Sequence, residues 1–230
     1  MNALASSIAH EVSQPLAATL ANASAAIRWL NRETPNLAEV GESLTAIAAQ
    51  AQRASDVITG MRSMLRKTSG EKTRLDVNAV IEQTLVLIDG EAARHRCVIE
   101  ADLSTNLPQV NGDRVQLQQV ILNLVMNGLE SMHDTDASRR ILSVRTESSD
   151  DAIVVAITDN GVGLEEGAST RLFDPFFTTK SEGLGMGLSI SLSIVESHGG
   201  RLWAAAHQPR GTVFSFTLPM ANVQDARVTR

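Results

Sequence analysis

The chain has 230 residues, of which 43% are hydrophobic and only 3% aromatic, with no tyrosine and a formal net charge of −6. That length holds one large domain or two modest ones, and an acidic balance with no Lys/Arg cluster excludes a nucleic-acid footprint. The single cysteine, Cys97, excludes an intrachain disulfide and is expected as a small buried apolar residue in a reducing compartment.

The first 67 residues read as two helices. Apolar positions Leu4, Ile8, Val12, Leu16, Leu20, Ala23, Ile27 and Leu30 recur at spacings of four and three, until Asn31 to Asn36 breaks the pattern, with Pro35 suited to a helix start. Leu37, Val40, Leu44, Ile47, Ala51, Ala54, Ile58, Met61 and Leu65 then form a sustained heptad, the pattern of a coiled-coil-like seam. A two-helix hairpin buries little alone, so pairing with a second copy into a four-helix bundle is expected. An Ala-rich module of this kind also accounts for the scarcity of aromatics.

A polar linker, 68–73, precedes a change to mixed α/β character. The spacing predicts a helix over about 77–92 and a strand over 97–103. A long helix capped by Asp113 should reach Met132. Two strands, 141–147 and 152–159, are joined by a turn at 148–151. A glycine-punctuated stretch from Asn160 to Gly187 leads into a helix over 188–197, ended by Gly199 and Gly200. Strands over 201–206 and 212–218 close the domain, and 221–230 reads as a frayed tail. No apolar run approaches the ~18–20 residues that span a bilayer, and the N-terminus lacks the basic flank and apolar core of a signal peptide. This segment is therefore expected in the cytoplasm without direct membrane contact. The first helix pattern is already under way at Met1, so a sensing segment upstream is expected.

His10 stands beside Glu11 on the first helix. At about 100° per residue it lies roughly 200° from Ile8 and its apolar stripe, facing solvent, and Gln14 falls ~40° from it one turn later. An isolated histidine there would be an ordinary surface residue. Next to Glu11, which can hold one tautomer or take a proton, a mostly neutral imidazole is a suitable nucleophile toward phosphorus. Pro15 within the same helix is either a hinge or a tolerated bend.

Asn123 and Asn127 share one face of an otherwise apolar helix. Burying a carboxamide without a partner costs about 1–3 kcal/mol, so the pair marks a polar pocket or a structural hydrogen-bond site. Asp159, Asn160, Gly161, Val162 and Gly163 follow a strand directly; the glycines allow close backbone approach to a flat ligand, and the carboxylate can accept from an exocyclic amine, although an Asx turn would satisfy the same residues. Gly183, Gly185 and Gly187 open a helix without the preceding strand of a Rossmann unit or the Gly-Lys-Ser/Thr of a Walker A loop. What remains is a loop whose amides and helix N-terminus suit phosphates. Phe173, Phe176 and Phe177 flank a turn at Asp174 and Pro175 and read as part of a lid or as an apolar anchor.

In this order, the runs at His10, Asn123, Asp159, Phe173 and Gly183 closely resemble the H, N, G1, F and G2 boxes of the two-component sensor histidine kinases, from Ser6 to about Leu218. The runs at His10, Phe173 and Gly183 look most like those of the FixL-like soluble members. The resemblance implies an α + α/β fold: a dimeric helical hairpin forming a four-helix bundle, followed by an α/β sandwich of the GHKL or Bergerat type. It implies a dimerisation and phospho-acceptor hairpin at 1–67, a linker at 68–73, a catalytic ATP-binding domain at 74–220 and a disordered tail at 221–230.

By the same resemblance His10 is the phospho-acceptor, and Gln14 orients the water that dephosphorylates a regulator. Asn127 is the magnesium ligand, and Asn123 stands where related ATPases carry a water-activating Glu. Asp159 reads the adenine amine beside Gly161 and Gly163. Phe176 belongs to the lid, Lys180 brings a cation to the phosphates, and Gly183, Gly185 and Gly187 form the phosphate loop. ATP and Mg²⁺ are the implied cofactors, and a second copy and a response-regulator receiver domain are the implied partners. Glu130 departs from the Lys or Arg many members have there, so a phosphate contact at that position is not expected. A stand-alone ATPase or chaperone would have no need of His10, and a dead scaffold would be expected to lose the Asn or Gly motifs, all of which are present.

Overall fold

The structure, a computed structural model, describes residues 2–65, 72–164, 171–178 and 185–221, with side chains for 13–51, 54, 72–164, 171–178 and 185–221. Lys180 and Gly183 lie outside the described residues, as do 68–71 of the linker and 222–230 of the tail. The chain divides into two compact units, one made of the first two helices and one of everything from the first strand onward.

Helix α1 spans Asn2–Leu30 and packs on α2, Leu37–Leu65. α1 runs on through the buried Pro15, whose carbonyl accepts from the Thr19 hydroxyl at 2.8 Å. The packing corrects the expected seam. Within one chain the inward face of α1 is built from Pro15 and Ala26, both buried, and the half-buried Ala18, Asn22 and Trp29. The larger residues Leu16, Leu20, Ile27 and Leu30 are 50–71% exposed. On α2 Ser43 and Ala54 are buried and Val40 and Ile47 half-buried, while Leu37 and Leu44 stay exposed. The contact mixes small residues, Ala18, Ala26, Ser43 and Ala54, with Trp29, Val40 and Ile47, and it leaves the leucines outside.

In the mixed unit the elements run β1 (Thr73–Leu75), α3 (Val77–Arg94), β2 (Val98–Leu103), β3 (Val110–Gly112), α4 (Arg114–Ser131), β4 (Ile141–Ser148), β5 (Ala152–Asp159), α5 (Gly187–Ser197), β6 (Leu202–Ala206) and β7 (Thr212–Pro219). The main sheet has the order β2-β4-β5-β7-β6, with β2 parallel to β4 and the remaining pairs antiparallel. Strands β1 and β3 form a separate antiparallel pair. Three residues each, they are too short to show a period in sequence. Asp76 and Asp113 cap α3 and α4 as acceptors for the second and third helical amides, which sets where each helix starts. Cys97 precedes β2 and is half-buried rather than buried, and burial pushes its thiol above the ordinary range.

Strand parity puts one row of side chains on the helix-covered face. Val144 pairs with Ile157 and Ile157 with Phe214; Val155 pairs with Phe216. These residues are at most 5% exposed. Against them pack Leu117, Val120, Ile121, Leu124 and Val125 of α4, and Ile190, Ile194 and Val195 of α5, all buried. Among the described residues no helix is long and apolar enough to cross a membrane.

His198 joins the two helices that frame the site. Its ring lies at the C-terminus of α5 and is buried; Nε2 accepts from the Asp113 amide at the start of α4 at 3.0 Å, and Nδ1 donates to the Ile194 carbonyl at 2.8 Å. A backbone N–H can only donate, so this arrangement requires the neutral ring with its proton on Nδ1. Burial pushes the imidazole below its ordinary 6.5, with Lys72 acting in the same direction and the Ile194 bond and the Asp113 carboxylate opposing. Lys72 itself donates to the Ser197 carbonyl at 2.6 Å.

A histidine depressed on folding contributes stability above its unfolded pKa and loses it as the pH falls through the folded one. The mixed unit should therefore weaken as the pH drops below 6.5. His198→Ala should lower its stability by about 1–3 kcal/mol at pH 7.5 and flatten that acid dependence. Urea midpoints between pH 5 and 8 check both. An acid slope unchanged in the variant would assign the dependence to other groups.

Candidate functional site

The site starts from a carboxylate on the wrong side of a strand. In β5 the inward positions are Ile153, Val155, Ile157 and then Asp159, so the period that buries three aliphatic residues also buries an acid, 2% exposed. Its Oδ1 accepts from the Gly161 amide at 2.9 Å. Burial pushes the carboxyl above its ordinary range; the Gly161 amide, the Ser131 hydroxyl, the Thr212 amide and His207 pull the other way without cancelling it. The ionised form is thus under-compensated, and a donor arriving at this group would be well received.

The chain leaving Asp159 runs against the end of α4. The Val162 amide donates to the Ser131 carbonyl at 3.1 Å, and a Cβ at Gly161 would overlap the Ser131 backbone. Gly163 adopts φ +81°, a left-handed conformation that favours glycine, and passes over Gly211. A Cβ at Gly211 would in turn run into the Asp159 carbonyl. Three backbone segments are therefore stacked behind the carboxylate with no side chain between them.

Asn123 and Asn127, one turn apart on α4, are both half-buried. The Asn123 amide donates to the Gly187 carbonyl at 3.3 Å and to the Ser191 hydroxyl at 3.4 Å, so it ties α4 to the first turn of α5. Met186, at the N-cap position of α5, makes no side-chain hydrogen bond to the first helical amides. Phe176, at φ 67°, donates its amide to the Gly185 carbonyl at 3.1 Å, and a Cβ at Gly185 would overlap the backbone of Phe176 and Phe177. The phenylalanine run and the glycine loop are one crossing. Gly185 has a packing reason to be glycine apart from any ligand.

The mixed unit holds all of Asp159, Gly161, Gly163, Asn123, Asn127, Phe176, Gly185 and Gly187, with Asp159 beside Gly161, Asn123 beside Gly187 and Phe176 beside Gly185. His10, Glu11 and Gln14 belong to the helical unit; Gln14 is exposed, and the side chains of His10 and Glu11 lie outside those described. Sequence reasoning missed Ser131, Gly128, Asn160, Gly211 and Thr212. A glycine inside an apolar helix was the available signal for Gly128, where a Cβ would meet the Leu142 side chain at 2.6 Å. Gly211 and Thr212 become neighbours of Asp159 only through the β5–β7 register, in which Thr212 is its partner.

A sandwich with a buried acid at a strand end, an Asn-bearing helix and a glycine loop opening the next helix defines a class. Residues 112–222 match the family described as histidine kinase-, DNA gyrase B-, and HSP90-like ATPase. The mixed unit has the GHKL-type α/β sandwich: it superposes on the catalytic domain of histidine kinase ThkA with a TM-score of 0.60 at 29% identity, over 66% of this chain and 97% of that one. Sensor protein FixL of Bradyrhizobium diazoefficiens is 38% identical over 223 residues, 96% of this chain and 44% of its own length. The structure of ThkA in complex with the response regulator TrrA shares the fold over 95% of this chain and 61% of that one, with a TM-score of 0.73 at 23% identity. The chain belongs to the two-component sensor histidine kinase family. It spans between 23% and 44% of the length of four curated relatives that it matches at 35–38% identity.

Because Asp159 is disfavoured as an anion, Asp159→Asn should stabilise the ligand-free chain at pH 7 while keeping an acceptor for Gly161. Each kcal/mol gained is about 2–4 °C in a domain of this size. The gain should shrink as the pH falls and the wild-type carboxyl, raised above its ordinary range, takes up a proton. Thermal unfolding at pH 4 and 7 checks this; a lower melting temperature at pH 7 would show the carboxylate to be a net structural asset.

Proposed function

We propose that this chain is the kinase core of a two-component system. Residues 74–220 bind ATP, and the γ-phosphoryl group passes to His10 of the 1–67 hairpin. An aspartate of a response-regulator receiver domain then collects it, and the same core dephosphorylates the regulator with help from Gln14. The observation that carries this is Asp159: a buried, under-compensated carboxylate is a suitable acceptor for the exocyclic amine of adenine. Gly161 and Gly163 let the chain after Asp159 pack closely on Ser131 and Gly211, which holds the carboxylate in place for the base. The start of α5 at Gly187, together with Gly183, Gly185 and Lys180, serves the phosphates, and Phe176 helps to cover them.

Among the described residues no three His, Cys, Asp or Glu side chains gather. The donor this chain offers at Asn127 is a single amide oxygen, which suits magnesium, an ion that retains waters and takes phosphate oxygens. When bound, magnesium supplies charge neutralisation for the phosphates. Glu11 holds the His10 imidazole in one tautomer or takes its proton. The ring nitrogen then forms the N–P bond as the bond from γ-phosphorus to the bridging oxygen breaks and ADP leaves. Such transfer relies on positioning and electrostatics. A cytoplasmic location fits the need for ATP.

Incubation with γ-labelled ATP should give acid-labile, alkali-stable label on the chain. His10→Gln should abolish that label and leave nucleotide affinity within about twofold, since Asn127, Asp159, Gly185 and Gly187 lie in the other unit. Persistent label on the variant would move the acceptor to His95, His133, His198 or His207.

The homodimer rests on the leucines the hairpin leaves uncovered. Leu16, Leu20, Ile27, Leu30, Leu37 and Leu44 are each at least 50% exposed and recur at heptad-like spacing. So long an apolar stripe on a single helical pair marks an interaction face. Leu44→Asp should dissociate the chain to a monomer at micromolar concentration, read by light scattering. A monomeric unmodified chain would remove the bundle from this proposal.

A further inference from the structure

Strand β5 pairs with β4 up to Asp159, which faces Leu142. One more step of the ladder would set Asn160 opposite Ile141. Instead the backbone peels away into the Gly161 turn, and the Asn160 side chain takes the place of a peptide group. Its Oδ1 accepts from the Ile141 amide at 3.2 Å, and its Nδ2 donates to the Arg139 carbonyl. Both main-chain partners have fixed polarity, so the orientation of the carboxamide is not in doubt. A carboxamide carries the donor and acceptor of a peptide bond. Aspartate could not donate to Arg139, and it would set a second anion beside a carboxylate that burial already disfavours.

The platform it grips is itself held. Arg140 sits between the two groups that Asn160 reads. Its guanidinium donates to the carbonyls of Thr135 at 2.9 Å, His95 at 2.7 Å and His133 at 2.7 Å. On the other side of Asn160, the turn is closed by Gly161 on Asp159 and by Val162 on Ser131. The segment that follows Asp159 is thus held to the β4 edge by Asn160 and to the end of α4 by Val162.

We infer that Asn160 is a positioning residue for nucleotide recognition: it ends the β5 ladder with a side-chain substitute and so aims the Asp159 carboxylate at the base. The inference rests on the adenine assignment of Asp159. It gives Asn160 no contact with the nucleotide. Its loss should therefore be felt only by ligands that use the carboxylate.

The test uses the full chain and two nucleotides, ATP and purine riboside 5′-triphosphate, which lacks the exocyclic amine. Asn160→Ala should weaken ATP binding by about 5–10-fold, the worth of one well-placed hydrogen bond, and leave the affinity for the amine-free nucleotide unchanged. In an Asp159→Ala background it should have no further effect on ATP, as expected of two residues acting as one unit. Asn160→Ser, uncharged and too short to bridge the Ile141 amide and the Arg139 carbonyl, provides a second variant should the alanine form fail to fold, with the same selective loss expected. Equal losses for both nucleotides would show a merely structural role and overturn the inference, as would no loss for either. If the unmodified chain bound the two nucleotides equally, the adenine assignment itself would fall, and the inference with it.

Discussion

Much of the mixed unit is arranged around the cost of one buried charge. An ionised carboxylate removed from water is expensive unless dipoles or ligands replace its solvation. Asp159 receives part of that replacement from the Gly161 amide, and its carboxyl nonetheless remains raised by burial. A fully satisfied acid would be inert toward a ligand, and an exposed one would be satisfied by water. The partial satisfaction makes the group selective for a donor, at the expense of the stability of the empty protein.

Holding such a group still takes backbone rather than side chains. Gly161, Gly163, Gly211 and Gly128 each stand where a Cβ would press on a neighbouring segment. Together they let the end of β5, the start of β7 and the last turns of α4 come close behind Asp159. The polar fasteners follow the same rule: Asn160 on the β4 edge, Arg140 on three carbonyls and Asn123 between α4 and α5 all spend side-chain groups on neighbouring structure. Preorganisation of this kind limits the reorganisation left to the moment of binding.

What could be read in advance followed from local chemistry. The cap at Asp113, the break before α2 at Pro35, the alternation of β4 and β5 and the glycines after Asp159 each announce themselves within a few residues. What could not be read depends on register. Thr212 and Gly211 reach Asp159 because β7 pairs with β5 at one alignment, and no local pattern specifies that alignment. Asn160 looked like part of an Asx turn and proved to be a splice into the neighbouring strand. Strands β1 and β3 were too short to have a period, and Cys97 was misjudged because its position at the start of an edge strand leaves it half open to solvent.

The hairpin shows the same limit in helical form. A heptad identifies an apolar stripe but not its partner. Along α1 two stripes compete: a narrow one through Pro15, Ala18, Asn22, Ala26 and Trp29, and a broader one through Leu16, Leu20, Ile27 and Leu30. Burial of large aliphatic side chains is worth about 1.5–3 kcal/mol each, so leaving the second stripe in water would forfeit most of what the sequence invests there. Intrachain packing nonetheless takes the narrow stripe. Leu16, Leu20, Ile27 and Leu30 are left exposed on the same helix. Close packing within the hairpin and an exposed apolar stripe beside it are in this way separate consequences of where the alanines and leucines fall.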